Sequence, residues 1–87
     1  MSRRIIFPGV VLDVDGCKVY LMNVIRTKNI KGEPRWLVSC RVEYDGRLSK
    51  QFFLDVGSNE ELLRKLKTEV ALFKVIVLGG IYERYIR

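Results

Sequence analysis

Histidine is absent from this 87-residue chain. The side chain that titrates near neutral pH and most often ligates metals is therefore missing, which excludes histidine triads and His-ligated metal chemistry. Cysteine occurs only as Cys17 and Cys40, without a C-x-x-C spacing, so neither a zinc site nor a disulfide framework is indicated. Both fall on apolar strand faces, where a small buried thiol is expected. A disulfide between them is the alternative, at home inside cells mainly in hyperthermophiles. Long apolar runs are lacking too. Pro8 and Gly9 interrupt Ile5 to Phe7 before a signal-peptide core can form. Val70 to Leu78 contains Lys74 and falls well short of the roughly 20 residues a bilayer span needs. The expectation is a soluble, cytoplasmic protein with no membrane partner. Gln occurs once and Asn three times beside plentiful Lys, Arg, Glu, Ile and Val, a balance familiar from thermophilic proteins.

What is present is positive charge. Sixteen Lys and Arg face ten Asp and Glu, for a net charge of +6 and an isoelectric point near 9.6, which favours anionic partners; simple solubility is the competing explanation. A chain of this length forms one domain, residues 1–87, with a modest core that oligomerisation would extend.

Asp15 and Gly16 separate two alternating stretches, Arg4 to Val14 and Cys17 to Arg26, and have the residue types of a two-residue hairpin turn. Pairing across them sets Leu12 beside Val19 and Val10 beside Leu21 on one face, with Asp13 beside Lys18 and Val11 beside Tyr20 on the other. A second hairpin surrounds Tyr44 to Arg47. A two-residue loop there puts Ser49 opposite Val42 and mixes the faces. A three-residue loop of Tyr44, Asp45 and Gly46 pairs Val42 with Leu48, Val38 with Phe52 and Trp36 with Leu54, and is the expected register. Thr27 to Arg35, carrying Lys28, Lys31, Gly32 and Pro34, reads as a mobile basic loop between the hairpins.

Ser58 followed by Glu61 is a capping box. Leu62, Leu66, Val70, Phe73 and Val77 follow at helical spacing, and Glu60 to Arg64 and Glu61 to Lys65 are i,i+4 ion pairs. The expectation is a helix up to Gly79 and Gly80, although β-branched Val75, Ile76 and Val77 also suit a strand. The tail from Ile81 to Arg87, with Tyr82 and Tyr85, is expected to dock on a partner subunit or nucleic acid. The fold class is therefore α+β: an antiparallel four-stranded sheet followed by one C-terminal helix, assembling as an oligomer.

Uninterrupted alternation puts Lys18, Tyr20, Arg26, Arg35, Arg41 and Phe53 on the polar sheet face, with Met22 and Leu37 among them. Phosphates need cations, and Lys18, Arg26, Lys28, Lys31, Arg35 and Arg41 supply them. Unpaired bases need flat partners, and Tyr20 and Phe53 supply those. A second subunit covering the same face is the alternative. Trp36 alternates with Val38, Cys40 and Val42 and reads as core before base-stacker. Asp13, Asp15, Asp45 and Asp55 form no spaced metal motif, and Gly79 and Gly80 lack the rest of a nucleotide-binding fingerprint. No enzyme, cofactor, metal or small-molecule substrate is expected.

The run "RWLVSCRVEYDGRLSKQFFLDVGSNEELLRKLKTEV" orders strand, tight turn, strand and Ser-capped helix after an earlier hairpin. This order resembles the sheet-plus-helix modules of single-strand DNA-binding coactivators and Whirly proteins. It is also similar to the ThermoDBP-related archaeal single-strand DNA-binding proteins. The resemblance implies single-stranded DNA held between a sheet and a neighbouring subunit, with helices building a homodimer or higher oligomer. Together with the residues, it leads to an expected function of sequence-tolerant single-stranded nucleic acid binding, DNA before RNA. An assembly subunit without a nucleic-acid role is the alternative.

Overall fold

Asp15 and Gly16 both have positive φ, 48° and 84°, the geometry that lets a two-residue turn follow the twist of its strands. In the computed structural model, which describes residues 6–86, this turn joins β1 (Val11–Val14) to β2 (Cys17–Lys28). The register is the expected one: Val11 faces Tyr20, Leu12 faces Val19 and Asp13 faces Lys18. Regular β1 begins only at Val11, but pairing continues one step further, since Leu21 N–H donates to Val10 O and Gly9 N–H to Leu21 O. Arg4 and Ile5 of the expected strand, and Arg87 of the tail, lie outside the described residues.

Antiparallel to β2 runs β3 (Pro34–Tyr44). Their ladder has one irregularity: Leu21 faces Cys40 and Asn23 faces Ser39, so Met22 is an extra residue on β2. A bulge of this kind shifts every later side chain to the opposite face. It brings Val24 opposite Val38 in the core and sends Ile25 outward opposite Leu37. Arg26 becomes the partner of buried Trp36. The expected placement of Arg26 on one face with Lys18 and Tyr20 is thereby corrected.

The Thr27 to Arg35 segment is also shorter as a loop than expected, because both of its ends belong to strands. β2 and β3 stay paired out to Lys28 and Pro34, and the five-residue tip is closed by its own hydrogen bonds. Asn29 N–H donates to Glu33 O at 3.0 Å and Gly32 N–H to Asn29 O at 2.9 Å. The Asn29 and Glu33 side chains add two more bonds. The result is a short, ordered β-arm.

At the second turn the chain adopts the loop that face matching disfavoured. Asp45 and Gly46, with φ of 54° and 74°, form a two-residue turn between β3 and β4 (Arg47–Leu48), with Tyr44 opposite Arg47 and Glu43 opposite Leu48. An extra residue before β5 (Phe52–Val56) then sets Cys40 opposite Phe52, Val38 opposite Leu54 and Trp36 opposite Val56. Compared with the expected register β5 is displaced by two residues, and an even displacement leaves its faces unchanged. The sheet is antiparallel throughout, in the order β1, β2, β3, with β4 and β5 both pairing with β3.

Ser58, extended at φ −158°, caps α1 (Asn59–Leu78), its Oγ accepting from Glu61 N–H at 3.1 Å. The Glu61 carboxylate reaches back to Gly57 N–H at 2.9 Å, one residue earlier than in the usual capping box. The helix is continuous through Val75, Ile76 and Val77. It ends in a Schellman motif: Ile81 N–H donates to Ile76 O and Gly80 N–H to Val77 O, with Gly80 at φ 74°. Leu62, Leu66, Val70 and Phe73 of α1 are buried with Val19, Leu21, Val38, Cys40 and Val42 of the sheet. Full burial of such side chains contributes about 1.5 to 3 kcal/mol each, so this one contact layer supplies most of the core. Beyond α1, α2 (Tyr82–Tyr85) turns back onto its own chain. Tyr82 and Tyr85 pack around Phe73 at centroid distances of 6.0 and 5.8 Å. Tyr82 Oη–H donates to Leu48 O at 2.8 Å, and Lys50 N–H donates to Tyr85 Oη at 2.9 Å. Both tail tyrosines thus have intramolecular partners.

Candidate nucleic-acid interface

With α1 on one face of the sheet, the other face stays open among the described residues. It carries Val11 and Asp13 from β1; Lys18 and Tyr20, then Asn23 and Ile25, from β2; Arg35, Leu37, Ser39, Arg41 and Glu43 from β3; and Phe53 and Asp55 from β5. Phe53 is 60% exposed, and Val11, Met22 and Ile25 are exposed as well. An open groove of about 720 Å³ crosses one end, lined by Val10, Val11, Tyr20, Met22, Arg41 and Leu48 among others.

Tyr20 and Arg41 are directly opposite one another across the β2–β3 ladder, so the sequence brings a ring and a guanidinium into one groove. Neither group is loose. Tyr20 Oη–H donates to the Glu43 carboxylate, a bond that holds the phenol in its protonated form and raises its pKa, with desolvation adding to the effect. Arg41 Nε donates to Ser49 O at 2.9 Å. Phe53 stands opposite Ser39, and the Ser39 hydroxyl takes a hydrogen bond from Gln51.

Arg35 points along the face toward the β5 edge. Its guanidinium bonds Asp55 Oδ1 at 3.1 Å, Asp55 O at 3.1 Å and Glu61 Oε2 at 3.3 Å. The hydrogen bond it donates to the Asp55 carboxylate is the main reason its proton is held more tightly than usual. Lys65 Nζ takes the same Asp55 carbonyl at 2.7 Å. Two cations thus occupy a backbone acceptor of the edge strand, a common way of blunting a sheet edge. Arg35 therefore tethers helix, edge and sheet together.

Lys18 is exposed and lies between Asp13 and Glu43 on the flanking strands. The face as a whole is balanced in charge, with Lys18, Arg35 and Arg41 set among Asp13, Glu43 and Asp55, instead of the basic surface that unbroken alternation predicts. Arg26 at the root of the arm, and Lys28 and Lys31 on it, are exposed, with side chains that make no ion pair or hydrogen bond among the described residues. Trp36 is 9% exposed and belongs to the core. Ile25 is the residue that alternation missed. Its outward position follows from the phase break in Leu21-Met22-Asn23-Val24, where the apolar side of the pattern moves from odd to even positions.

No cluster of three or more Cys, Asp or Glu suited to a metal occurs among the described residues. Among them, no helix is long and apolar enough to cross a membrane.

The fold and this face define an α+β module: an antiparallel sheet covered on one side by a capped helix and open on the other. Comparison with family models, curated proteins and solved structures finds no match to the chain.

Proposed function

We propose that the open sheet face binds single-stranded nucleic acid without sequence preference. The observation that carries this reading is the Tyr20–Arg41 pair in an open groove, continued along the face by the exposed ring of Phe53. Stacking on an aromatic ring is available to every base, and a neighbouring guanidinium serves phosphate or base equally. Lys18 adds an exposed cation on the same face, opposite Glu43, while Arg35 acts mainly through the edge it organises. DNA is the first candidate, in keeping with the resemblance to archaeal single-strand DNA-binding proteins. Anisotropy titrations of labelled single-stranded DNA and RNA test the reading: Tyr20→Ala with Phe53→Ala must weaken binding while the thermal melt of Phe53→Ala stays unchanged. Normal binding by a folded double variant sinks the stacking platform.

A second reading is favoured by the internal pairing of Arg35, Arg41 and Glu43 and by the apolar exposure of Val11, Met22 and Ile25. In that case the face is covered by another protein. Binding that is insensitive to ionic strength would mark it, because apolar burial is screened far less than phosphate contact.

Self-association belongs to the same proposal. Leu72, Val75 and Leu78 form an exposed stripe on α1, which suits a homodimer or higher oligomer. Sedimentation equilibrium of the wild type against Val75→Glu tests it, with a shift to monomer expected in the variant.

A further inference from the structure

The bulge at Met22 puts the cations of β2 on two different faces of the sheet, Lys18 on one and Arg26 and Lys28 on the other. Residues directly opposite in an antiparallel ladder share a face. Arg26 is opposite buried Trp36, and Lys28 is opposite Pro34 on that same helix-side face. Tyr20 and Phe53 lie on the other face. A strand stacked on Tyr20 and Phe53 is therefore on the wrong side of the sheet for Arg26 and Lys28. These cations need a different anionic partner or none.

The arm that carries them has a definite shape. It is a two-stranded ribbon, paired to Lys28 and Pro34 and closed at Asn29 to Glu33 by four hydrogen bonds. The Glu33 carboxylate, its one acidic group, accepts from the Asn29 amide. Lys31 and Ile30 stand at the tip, and Ile30 is fully exposed. The long axis of the molecule reaches 43 Å against 28 and 19 Å for the others, an elongated outline for a domain of this size.

We infer that the β2–β3 arm is a docking element for duplex DNA, entering the major groove with Arg26, Lys28 and Lys31 on the flanking phosphates and Ile30 against the base edges. The major groove of B-form DNA, about 12 Å wide, admits a two-stranded β-ribbon. The deep, narrow major groove of an RNA duplex does not admit side chains. An exposed aliphatic side chain at a ribbon tip meets apolar surface there in the thymine methyl group. The closed tip costs little ordering on binding, since its backbone is already fixed. Duplex docking by the arm is independent of single-strand binding by the open face, and the two surfaces can act together where a duplex gives way to a single strand.

The test is fluorescence anisotropy with a labelled DNA duplex, the RNA duplex of matching sequence and a single DNA strand, at about 50 and about 200 mM salt. Proteins compared are the wild type, the triple variant Arg26→Ala, Lys28→Ala, Lys31→Ala, and Phe53→Ala; thermal melts establish that each is folded. The wild type is expected to bind the DNA duplex, and three phosphate contacts should cost it about 40-fold in affinity between those salt concentrations. The triple variant should lose at least about tenfold of the duplex affinity and most of that salt dependence, yet keep single-strand affinity within about twofold. Absence of DNA-duplex binding by the wild type overturns the inference. So does an equal loss on duplex and single strand in the triple variant, or RNA-duplex binding that depends on the arm as strongly as DNA binding. Phe53→Ala tests the open face separately, because it should weaken single-strand binding alone.

Discussion

The hydroxyl of Ser49 accepts the backbone N–H of Val42 at 2.8 Å, while Ser49 N–H donates to Val42 O at 2.7 Å. The side chain takes the place that the Ser49 carbonyl would hold in a regular ladder. Freed from it, that carbonyl turns to Arg41 Nε. Lys50 and Gln51 then both lie across from Arg41, which is the extra residue that displaces β5. Ser49 is 1% exposed, and its hydroxyl also donates to Lys50 O at 2.9 Å, so a polar side chain is buried without an unmet bond.

Ser49→Ala should accordingly destabilise the fold by about 1 to 3 kcal/mol, because the buried Val42 N–H loses its acceptor. Urea denaturation measures this. A loss below about 0.5 kcal/mol would mean that the backbone relaxes into a regular ladder there.

Tyr82→Phe and Tyr85→Phe each remove one hydrogen bond to the Leu48–Lys50 segment and keep the ring packing on Phe73. Each should cost about 1 kcal/mol. Phe73→Ala removes the ring both tyrosines pack on and should cost about 3 to 5 kcal/mol. Chemical denaturation of the three variants checks the order.

Phe53→Ala changes an exposed side chain, so stability should stay within about 0.5 kcal/mol. Single-strand affinity should fall by about 1 to 3 kcal/mol, or about five- to 150-fold. Anisotropy at one salt concentration is sufficient, since stacking loss is independent of salt.

Glu61 accepts from Gly57 N–H and Lys65 and faces Arg35. The Gly57 amide first, and then the Lys65 hydrogen bond and nearby cations against some desolvation, hold its carboxyl at about 2, below the ordinary 4.5. A carboxyl depressed in the folded state stabilises it above the unfolded pKa, and that stabilisation is lost as pH falls from about 4.5 through about 2. Glu61→Gln should lower the melting temperature at neutral pH and flatten its fall across that window. Equal acid sensitivity in variant and wild type would assign the effect to other carboxylates.

Cys40 is fully buried, and burial pushes its thiol up to about 12. Burial likewise raises Cys17, with Lys74 opposing. Both are free thiols. A thiol-specific reagent should leave both unmodified in the native protein at neutral pH and titrate both after unfolding. Fast native-state labelling of either would show local opening of the sheet.

The first turn and the helix cap depend on a few neighbouring residues, and those were legible without a structure. Asp15 and Gly16 specify the first hairpin with its register, Ser58 and Glu61 specify where α1 begins, and the spacing of Leu62, Leu66, Val70 and Phe73 specifies its buried side. Residue type alone also set the acceptable faces of β3 and β5, which is why a displacement of two residues left them unchanged. The bulges at Met22 and after Ser49 were decided by packing at long range. Val24 turns inward opposite Val38 and packs against the core, and Ser49 is tolerated opposite Val42 because its hydroxyl supplies the missing acceptor. The break in alternation from Leu21 to Val24 is visible in the sequence, but where each extra residue falls depends on what the opposite strand presents. Those two extra residues shape the candidate site: the first takes Arg26 away from Tyr20, and the second turns a carbonyl toward Arg41. Similarly, Tyr82 and Tyr85 are drawn back to their own sheet because the Schellman turn at Gly80 aims the chain at Leu48 and Lys50, a direction set only once the helix is docked.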